Sequence, residues 1–295
     1  MADNRGIRDL ISFGAVLALL VSILQIVVSA WRWRYTAARL GLPLPLREAI
    51  REYYLASFLN QVLPGGVVGD ANRAWRHGSD GVGRGAALRA VMIERLSGQL
   101  VLAGVALIAL LLVVNVEGLA QSAIGGIRQN RSPTVIGPVA VAMAAFGLVL
   151  GLGLYYGVRR GPPALLSTFA GDVRRALFVW PAVAWQWLSS ILVLTTYLAV
   201  YLLAARALGV ARPAWELLPL VPLVLLAMLI PISVAGWGVR EGAAALVWAQ
   251  AGLPPAEGVV IAVGYGILVL VSSLPGALML GSTRSSGERL AQSRA

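Results

Sequence analysis

Two short stretches place charged groups beside a break in an apolar run. The first, L-P-G-G-V-V-G-D-A-N-R at 63–73, follows Asn60 and Gln61 and carries Gly69, Asp70 and Arg73. The second, I-P-I-S-V-A-G-W-G-V-R at 230–240, carries Gly236, Gly238 and Arg240 and runs on into Glu241 and Gly242. Both read P-x2-V-x-G-x3-R, and each shared residue is offset by 167 positions. A third stretch, M-I-E-R-L-S-G-Q-L at 92–100, sets Glu94 and Arg95 a turn or two inside a long apolar run. The chemistry such residues offer is anion binding. A helix that resumes after a break has free N–H groups and the positive end of its dipole there. Phosphate suits that end, and a matched arginine adds a planar, permanently charged donor for bidentate contact.

Each of these residues also has a structural reading. An arginine near the bilayer centre costs about 2.5–3.5 kcal/mol on insertion scales, so it needs a partner. Asp70, Glu94, Glu241 or a lipid phosphate can serve. Glu94 pairs with Arg73 or Arg240 on that reading, and Arg95 snorkels to headgroups. Arg240 and Glu241 are then a buried pair. Asn60 and Gln61 either contact a headgroup or cap exposed backbone. Glu94, Ser97 and Gly98 share a helix face, and adjacent Glu94 and Arg95 do not face each other.

The elements that must hold these groups are membrane helices. The 295-residue chain is 58% hydrophobic and 13% charged, with a mean hydropathy of +0.79. Apolar stretches of membrane-spanning length recur along it, which indicates a polytopic helical membrane protein. The formal charge of +11 comes from arginines that sit mostly between apolar runs. Topology and lipid headgroups account for them better than nucleic acid does. The chain contains no lysine, no cysteine and one histidine, His77. A P-loop and a Lys Schiff base are therefore excluded, as are thiolate metal sites and disulfides. No cofactor and no metal is expected. His77 reads as a surface residue of a basic loop. Trp31, Trp33, Trp180, Trp185, Trp187 and Trp215 read as an aromatic belt.

The apolar stretches are 10–31, 53–69, 90–114, 135–157, 177–204, 215–235, 238–251 and 257–280. The first is read as a retained span rather than a signal peptide, because it is long and R-W-R follows it. Segment 32–52 carries five arginines and segment 70–89 four, which places both on the cytoplasmic side. The apolar run 53–69 between them then enters and leaves on one side, as a re-entrant hairpin turning at Pro64-Gly65-Gly66. The second break, at P-I-S-V-A-G-W-G (231–238), forms the matching hairpin from the outside. "GDVRR" at 171–175 and "VRRG" at 158–161 read as cytoplasmic anchors, and "NRS" at 130–132 as a weak sequon.

The offset of 167 carries span 10–31 onto 177–198, and 90–114 onto 257–281. The expected fold is thus all-α and polytopic, with about six full transmembrane helices and two broken re-entrant hairpins forming an inverted repeat. The halves are about 10–114 and 177–281, with 135–157 as the linking span. Residues 1–281 form one integral-membrane domain, and 282–295 a disordered cytoplasmic tail. Inverted repeats with discontinuous helices hold a substrate site near the midplane.

Three blocks, W-R-W-R-Y-T-A-A-R-L-G-L-P-L-P-L-R-E-A-I-R-E-Y-Y-L-A-S-F-L-N-Q-V-L-P-G-G-V-V-G-D-A-N-R-A-W (31–75), V-M-I-E-R-L-S-G-Q-L (91–100) and P-I-S-V-A-G-W-G-V-R-E-G-A (231–243), resemble the lysylphosphatidylglycerol synthase transmembrane, or flippase-like, family. The resemblance implies a membrane domain that moves or handles lipids across the bilayer. By position it points to Gly69, Asp70 and Arg73, to Glu94 and Arg95, and to Gly236, Gly238, Arg240, Glu241 and Gly242; Asn60, just before the first break, is a further candidate from its place alone. It covers the membrane domain alone, so synthase activity is not expected. The expectation is a multi-pass protein of the cytoplasmic membrane that translocates an anionic phospholipid or lipid-linked intermediate. Arg73 and Arg240 hold the phosphate in alternation in this reading. Its partners are membrane lipids with anionic headgroups, with an envelope-lipid synthesis enzyme as a further candidate and no nucleic acid. The alternatives are an intramembrane lipid or glycosyl transferase, or a non-transporting partner of an envelope-lipid enzyme.

Overall fold

The computed structural model describes residues 4–79, 83–123, 163–229 and 233–280. The linking span 135–157, the motifs at 130–132 and 158–161, Pro231 and the tail 282–295 lie outside them. The described residues are helical apart from turns and one isolated β-bridge. They form α1 (Asn4–Arg39), α2 (Leu46–Val62), α3 (Val68–His77), α4 (Arg84–Ala123), α5 (Pro163–Val173), α6 (Ala182–Ala207), α7 (Ala214–Leu217), α8 (Val221–Ala227), α9 (Val239–Gln250), α10 (Pro255–Ser273) and α11 (Pro275–Leu278). A π-turn, Arg174–Phe178, continues α5.

Among the described residues four stretches are long and apolar enough to cross a membrane: Phe13–Arg39, Arg84–Leu111, Ala182–Ala207 and Pro255–Leu278. The chain is a polytopic helical membrane protein. Its outward faces carry large apolar side chains, among them Phe13, Leu20, Ile108, Leu188 and Leu278. A water-soluble protein would not expose so continuous an apolar surface.

Local sequence explains where the helices stop. Pro64 forces Leu63 into an extended conformation (ψ 149°) and ends α2. Gly65 and Gly66 then take positive φ (85° and 58°), which reverses the chain before α3 begins. At the second break Gly236 and Gly238 take φ of 80° and 83°. Glu241 closes the start of α9 by accepting the Gly238 N–H at 2.6 Å, the reach-back half of a capping box.

Small residues let the broken pieces pack backbone on backbone, as membrane helices do where lipid supplies no hydrophobic drive. A Cβ at Gly69 would lie 2.0 Å from the Ala56 carbonyl oxygen, so α3 sits directly on α2. A Cβ at Gly276 would lie 2.2 Å from the Tyr54 carbonyl oxygen, which seats α11 on the same helix. The packing pairs come in couples: α2 with α3 and α8 with α9, α3 with α4 and α9 with α10, α2 with α10 and α8 with α4. The most extensive interface joins α1 to α6. There Gln186 donates to Thr36 at 2.6 Å.

Several expectations from sequence are corrected here. The first span does not end at 31; the helix runs on to Arg39, so Arg32 is a helical residue and not a loop anchor. Arg32 and Arg73 are both buried. Removing them from the charge count leaves four arginines in 32–52 and three in 70–89. His77 is buried, not on the surface, with Nε2 3.1 Å from the Pro43 carbonyl oxygen and its ring edge-on to Trp33. Trp33 is likewise a core residue and no part of an interfacial belt, whereas Trp180, Trp185, Trp187 and Trp215 are exposed. The 171–175 segment is not a plain anchor. Its Asp172 pairs with Arg89 at 2.7 Å, and its Arg175 carbonyl accepts from Arg39 at 3.2 and 3.3 Å.

Candidate functional site

The two breaks meet. Pro64 and Val234 form an antiparallel β-bridge, and the Gly65 N–H donates to the Ser233 carbonyl at 3.2 Å. Because each tip is irregular, its amides and carbonyls need partners inside the membrane, and the tips supply one another.

Beside the first tip lies a connected charge network. Arg73, on α3, is fully buried. It donates from Nε to Asp70 at 2.9 Å and from Nη2 to Glu94 on α4 at 2.7 Å. Its guanidinium also lies 4.7 Å from the Trp33 ring centroid and 4.6 Å from that of Tyr53, within cation–π range. The other Glu94 oxygen accepts from Arg32 on α1, from Nε at 3.0 Å and Nη2 at 2.5 Å. Arg32 reaches on to the Ser190 hydroxyl on α6 at 3.1 Å. Gly98 makes room for it: a Cβ there would stand 3.2 Å from both terminal nitrogens of Arg32. Asp70 in turn pairs with Arg95 and accepts from Asn60 at 2.8 Å. Arg95 also contacts the Gly66 carbonyl at 3.4 Å. Three guanidiniums thus face two carboxylates, leaving one positive charge in excess. These hydrogen bonds offset the cost of burying the charges, with Arg73 Nη1 the nitrogen left without a hydrogen-bond partner.

At the second tip the charge is local. Arg240 is fully buried and donates to Glu241 Oε1 from Nε at 3.0 Å and Nη2 at 2.7 Å. Although adjacent in sequence, the two meet because Glu241 folds back to cap Gly238. The Arg240 guanidinium lies 4.8 Å from the Trp237 ring and 5.6 Å from Tyr265. It occupies the space over Gly266, where a Cβ would fall 2.1 Å from Nη2.

A cavity of about 310 Å³ opens where the tips meet α1, α4, α6 and α10. Of the ten residues singled out from sequence, Asn60, Asp70, Glu94, Arg95 and Gly236 line it. Gly69, Arg73, Gly238, Arg240 and Glu241 do not; they form the support behind its wall. The expectation that Arg73 and Arg240 themselves touch the headgroup therefore changes. Both are committed to carboxylates and lie off the cavity; Arg32 and Arg95 are the arginines that line it, and Arg95, with about a third of its side chain exposed, is the more open of the two. The helix starts are not open anion sites either: Asn60 accepts the Gly69 N–H at 2.7 Å, and Glu241 takes that of Gly238. Ser97 turns away and donates to the Glu94 carbonyl.

Sequence reasoning missed Arg32, Tyr53 and Ser233 as site residues. Arg32 had a signal. Ser22, Gln25, Ser29, Arg32 and Thr36 recur at three- and four-residue spacing along α1, a polar stripe on one helix face. Four of these five line the cavity. Ser233 had none beyond its place in the second break. Among the described residues no group of three or more His, Cys, Asp or Glu is placed to hold a metal ion.

No curated protein and no solved structure matches the chain. Residues 7–276 match the family described as the lysylphosphatidylglycerol synthase TM region. The match spans nearly the whole chain and includes both breaks and the network between them. The chain belongs to the lysylphosphatidylglycerol synthase TM region family, membrane proteins associated with lipid metabolism or translocation.

Proposed function

We propose that the protein translocates a lipid across the cytoplasmic membrane, passing its anionic headgroup between the two breaks while the acyl tails stay in the bilayer. The observation that carries this reading is the charged cavity at the junction of two broken helices, enclosed by membrane-length helices. A polar cavity in that position is a liability for a purely structural protein. It is what a headgroup path requires.

The two halves act as an inverted repeat in this proposal. The offset of 167 carries α1 onto α6, α2 onto α7 and α8, α3 onto the start of α9, and α4 onto α10 and α11, and the packing pairs come in corresponding couples. Such a repeat gives two related conformations that open to opposite sides. The bridge between Pro64 and Val234 is the contact that must part or slide between them. Arg95 holds the phosphate, Arg32 adds its charge beside it, and Arg73 keeps Asp70 and Glu94 in place.

A reconstitution assay tests this. Vesicles carrying fluorescent phosphatidylglycerol are quenched from outside by a membrane-impermeant reductant. A charge-assisted hydrogen bond is worth about 1.5–3 kcal/mol. Arg95→Gln is therefore expected to slow translocation roughly ten- to hundredfold, with the melting temperature nearly unchanged. A wild-type rate in Arg95→Gln, or no protein-dependent movement of any lipid, contradicts the proposal.

A further inference from the structure

The cavity also distinguishes between headgroups, an inference that rests on the translocation reading and adds a substrate class to it. Both carboxylates that line the cavity are already occupied. Asp70 takes Arg73 on one oxygen, and Asn60 and Arg95 on the other. Glu94 takes two donors from Arg32 on one oxygen and Arg73 on the other. A carboxylate has about four acceptor positions, so little is left for a ligand ammonium. An ammonium would also have to stand beside Arg32 and Arg95, in a network already one positive charge in excess. Like charges placed together reject a partner.

The rest of the polar lining is neutral. Ser29, Ser57, Gln99 and Tyr197 line the same space. At the tips, Gln61 and Ser233 also line it, and Gln61 Oε1 and Ser233 Oγ are buried with no hydrogen-bond partner. Among the described residues ten buried side-chain atoms lack a hydrogen-bond partner, and of these only the two on Gln61 and Ser233 belong to residues that line the cavity. Hydroxyl and amide groups that both donate and accept match a ligand's hydroxyls.

We propose that the cargo headgroup is a phosphate bearing several hydroxyls and no amine, a polyol or glycosyl phosphate. Arg95 takes the phosphate, and Gln61 and Ser233, one from each break, take the hydroxyls. A polyol phospholipid and a sugar on an isoprenoid phosphate share this chemistry. A lysyl headgroup does not fit it, for want of an open carboxylate.

Competition binding tests the assignment without requiring transport. The purified full chain is mixed in detergent with equimolar phosphatidylinositol, a hexosyl polyprenyl phosphate and lysylphosphatidylglycerol. Retained lipid is then read by native mass spectrometry. At least one hydroxyl-rich lipid is expected to be retained tenfold or more over the lysyl lipid, and the first two probes separate the two sources. In a Gln61→Leu, Ser233→Ala double variant the preference is expected to fall at least threefold. Equal or greater retention of the lysyl lipid overturns the proposal, with or without a folded variant. A folded variant that keeps the full preference overturns the role given to Gln61 and Ser233. The same lipids in vesicles separate the two claims. Preference without movement sinks translocation alone, and lysyl lipid moving as fast as phosphatidylinositol sinks the headgroup class alone.

Discussion

The first break shares its buried charge among three helices and draws neutral partners from two more; the second keeps its charge within one turn. Arg73 and Arg240 occupy matched positions in the two motifs, and both are fully buried. Yet Arg73 reaches Glu94 on α4, which holds Arg32 on α1, while Asp70 gathers Asn60 from α2 and Arg95 from α4. Arg240 meets Glu241, its neighbour, over the floor left by Gly266. The reason lies in α10: the position matching Glu94 at the same offset is Ile261, which belongs to the apolar core with Tyr201, Trp248 and Tyr265. With no carboxylate at that position, and with Glu257 at the start of the same helix held by Arg212 at 2.7 Å, Arg240 finds its anion locally. One motif thus serves as a joint between elements and the other as a self-contained plug. The cavity's charge comes from the first.

Damage at the first break is therefore expected to spread, and damage at the second to stay put. The largest effect is expected from Glu94→Gln, which removes the anion shared by Arg32 and Arg73. Breaking a buried pair by one partner costs about 3–5 kcal/mol. The loss should appear as a lowered melting temperature in detergent and as faster hydrogen exchange in α1, α3 and α4 together. A smaller loss, about 1–3 kcal/mol, is expected from Glu241→Gln, since the carboxylate takes Gly238 and Arg240 on separate oxygens and the single carbonyl oxygen of glutamine still serves one of them. Faster exchange should be confined to the first turns of α9. Spread into α1 or α4 would erase the contrast between the breaks.

Gly266→Ala sharpens the comparison at the second break. The added methyl takes the space of the Arg240 guanidinium, and overpacking of that kind costs about 1–3 kcal/mol. Combined with Glu241→Gln, the two losses should fall short of additive, because both act through Arg240. Strict additivity would mean that Arg240 is not seated over Gly266. Arg95→Gln should cost least in stability, under about 1 kcal/mol, because its side chain is partly exposed and its pair is screened. It should nonetheless slow headgroup movement most among variants that stay folded.

Much of this contrast was legible before any coordinates. Membrane class and both breaks followed from composition, apolar length and Pro-Gly punctuation, and Asp70, Glu94 and Arg95 fell on the cavity. What sequence could not supply was depth. Arg32 follows the apolar run directly and reads as a loop charge until the helix is known to continue to Arg39. His77 and Trp33 looked interfacial for the same reason, yet α1, α2 and α3 fold over them. Arg73 and Arg240 matched a phosphate-binding pattern, but whether an arginine touches a ligand or a carboxylate depends on what neighbouring helices carry opposite it. Spacing along one helix does not encode that. The polar stripe of Ser22, Gln25, Ser29, Arg32 and Thr36 did encode which face of α1 looks inward.

The account depends most on the two breaks meeting tip to tip around one shared space. The chain has no cysteine of its own, so a pair placed at Pro64 and Val234 reports without background. Directly opposed bridge residues stand about 4.5–5.5 Å apart, close enough for a disulfide. The Pro64→Cys, Val234→Cys double variant in vesicles is predicted to form that bond under mild oxidation, to stop headgroup translocation when oxidised, and to regain it on reduction. Failure of the bond to form in a folded protein, or unchanged translocation with the tips locked together, would contradict the account.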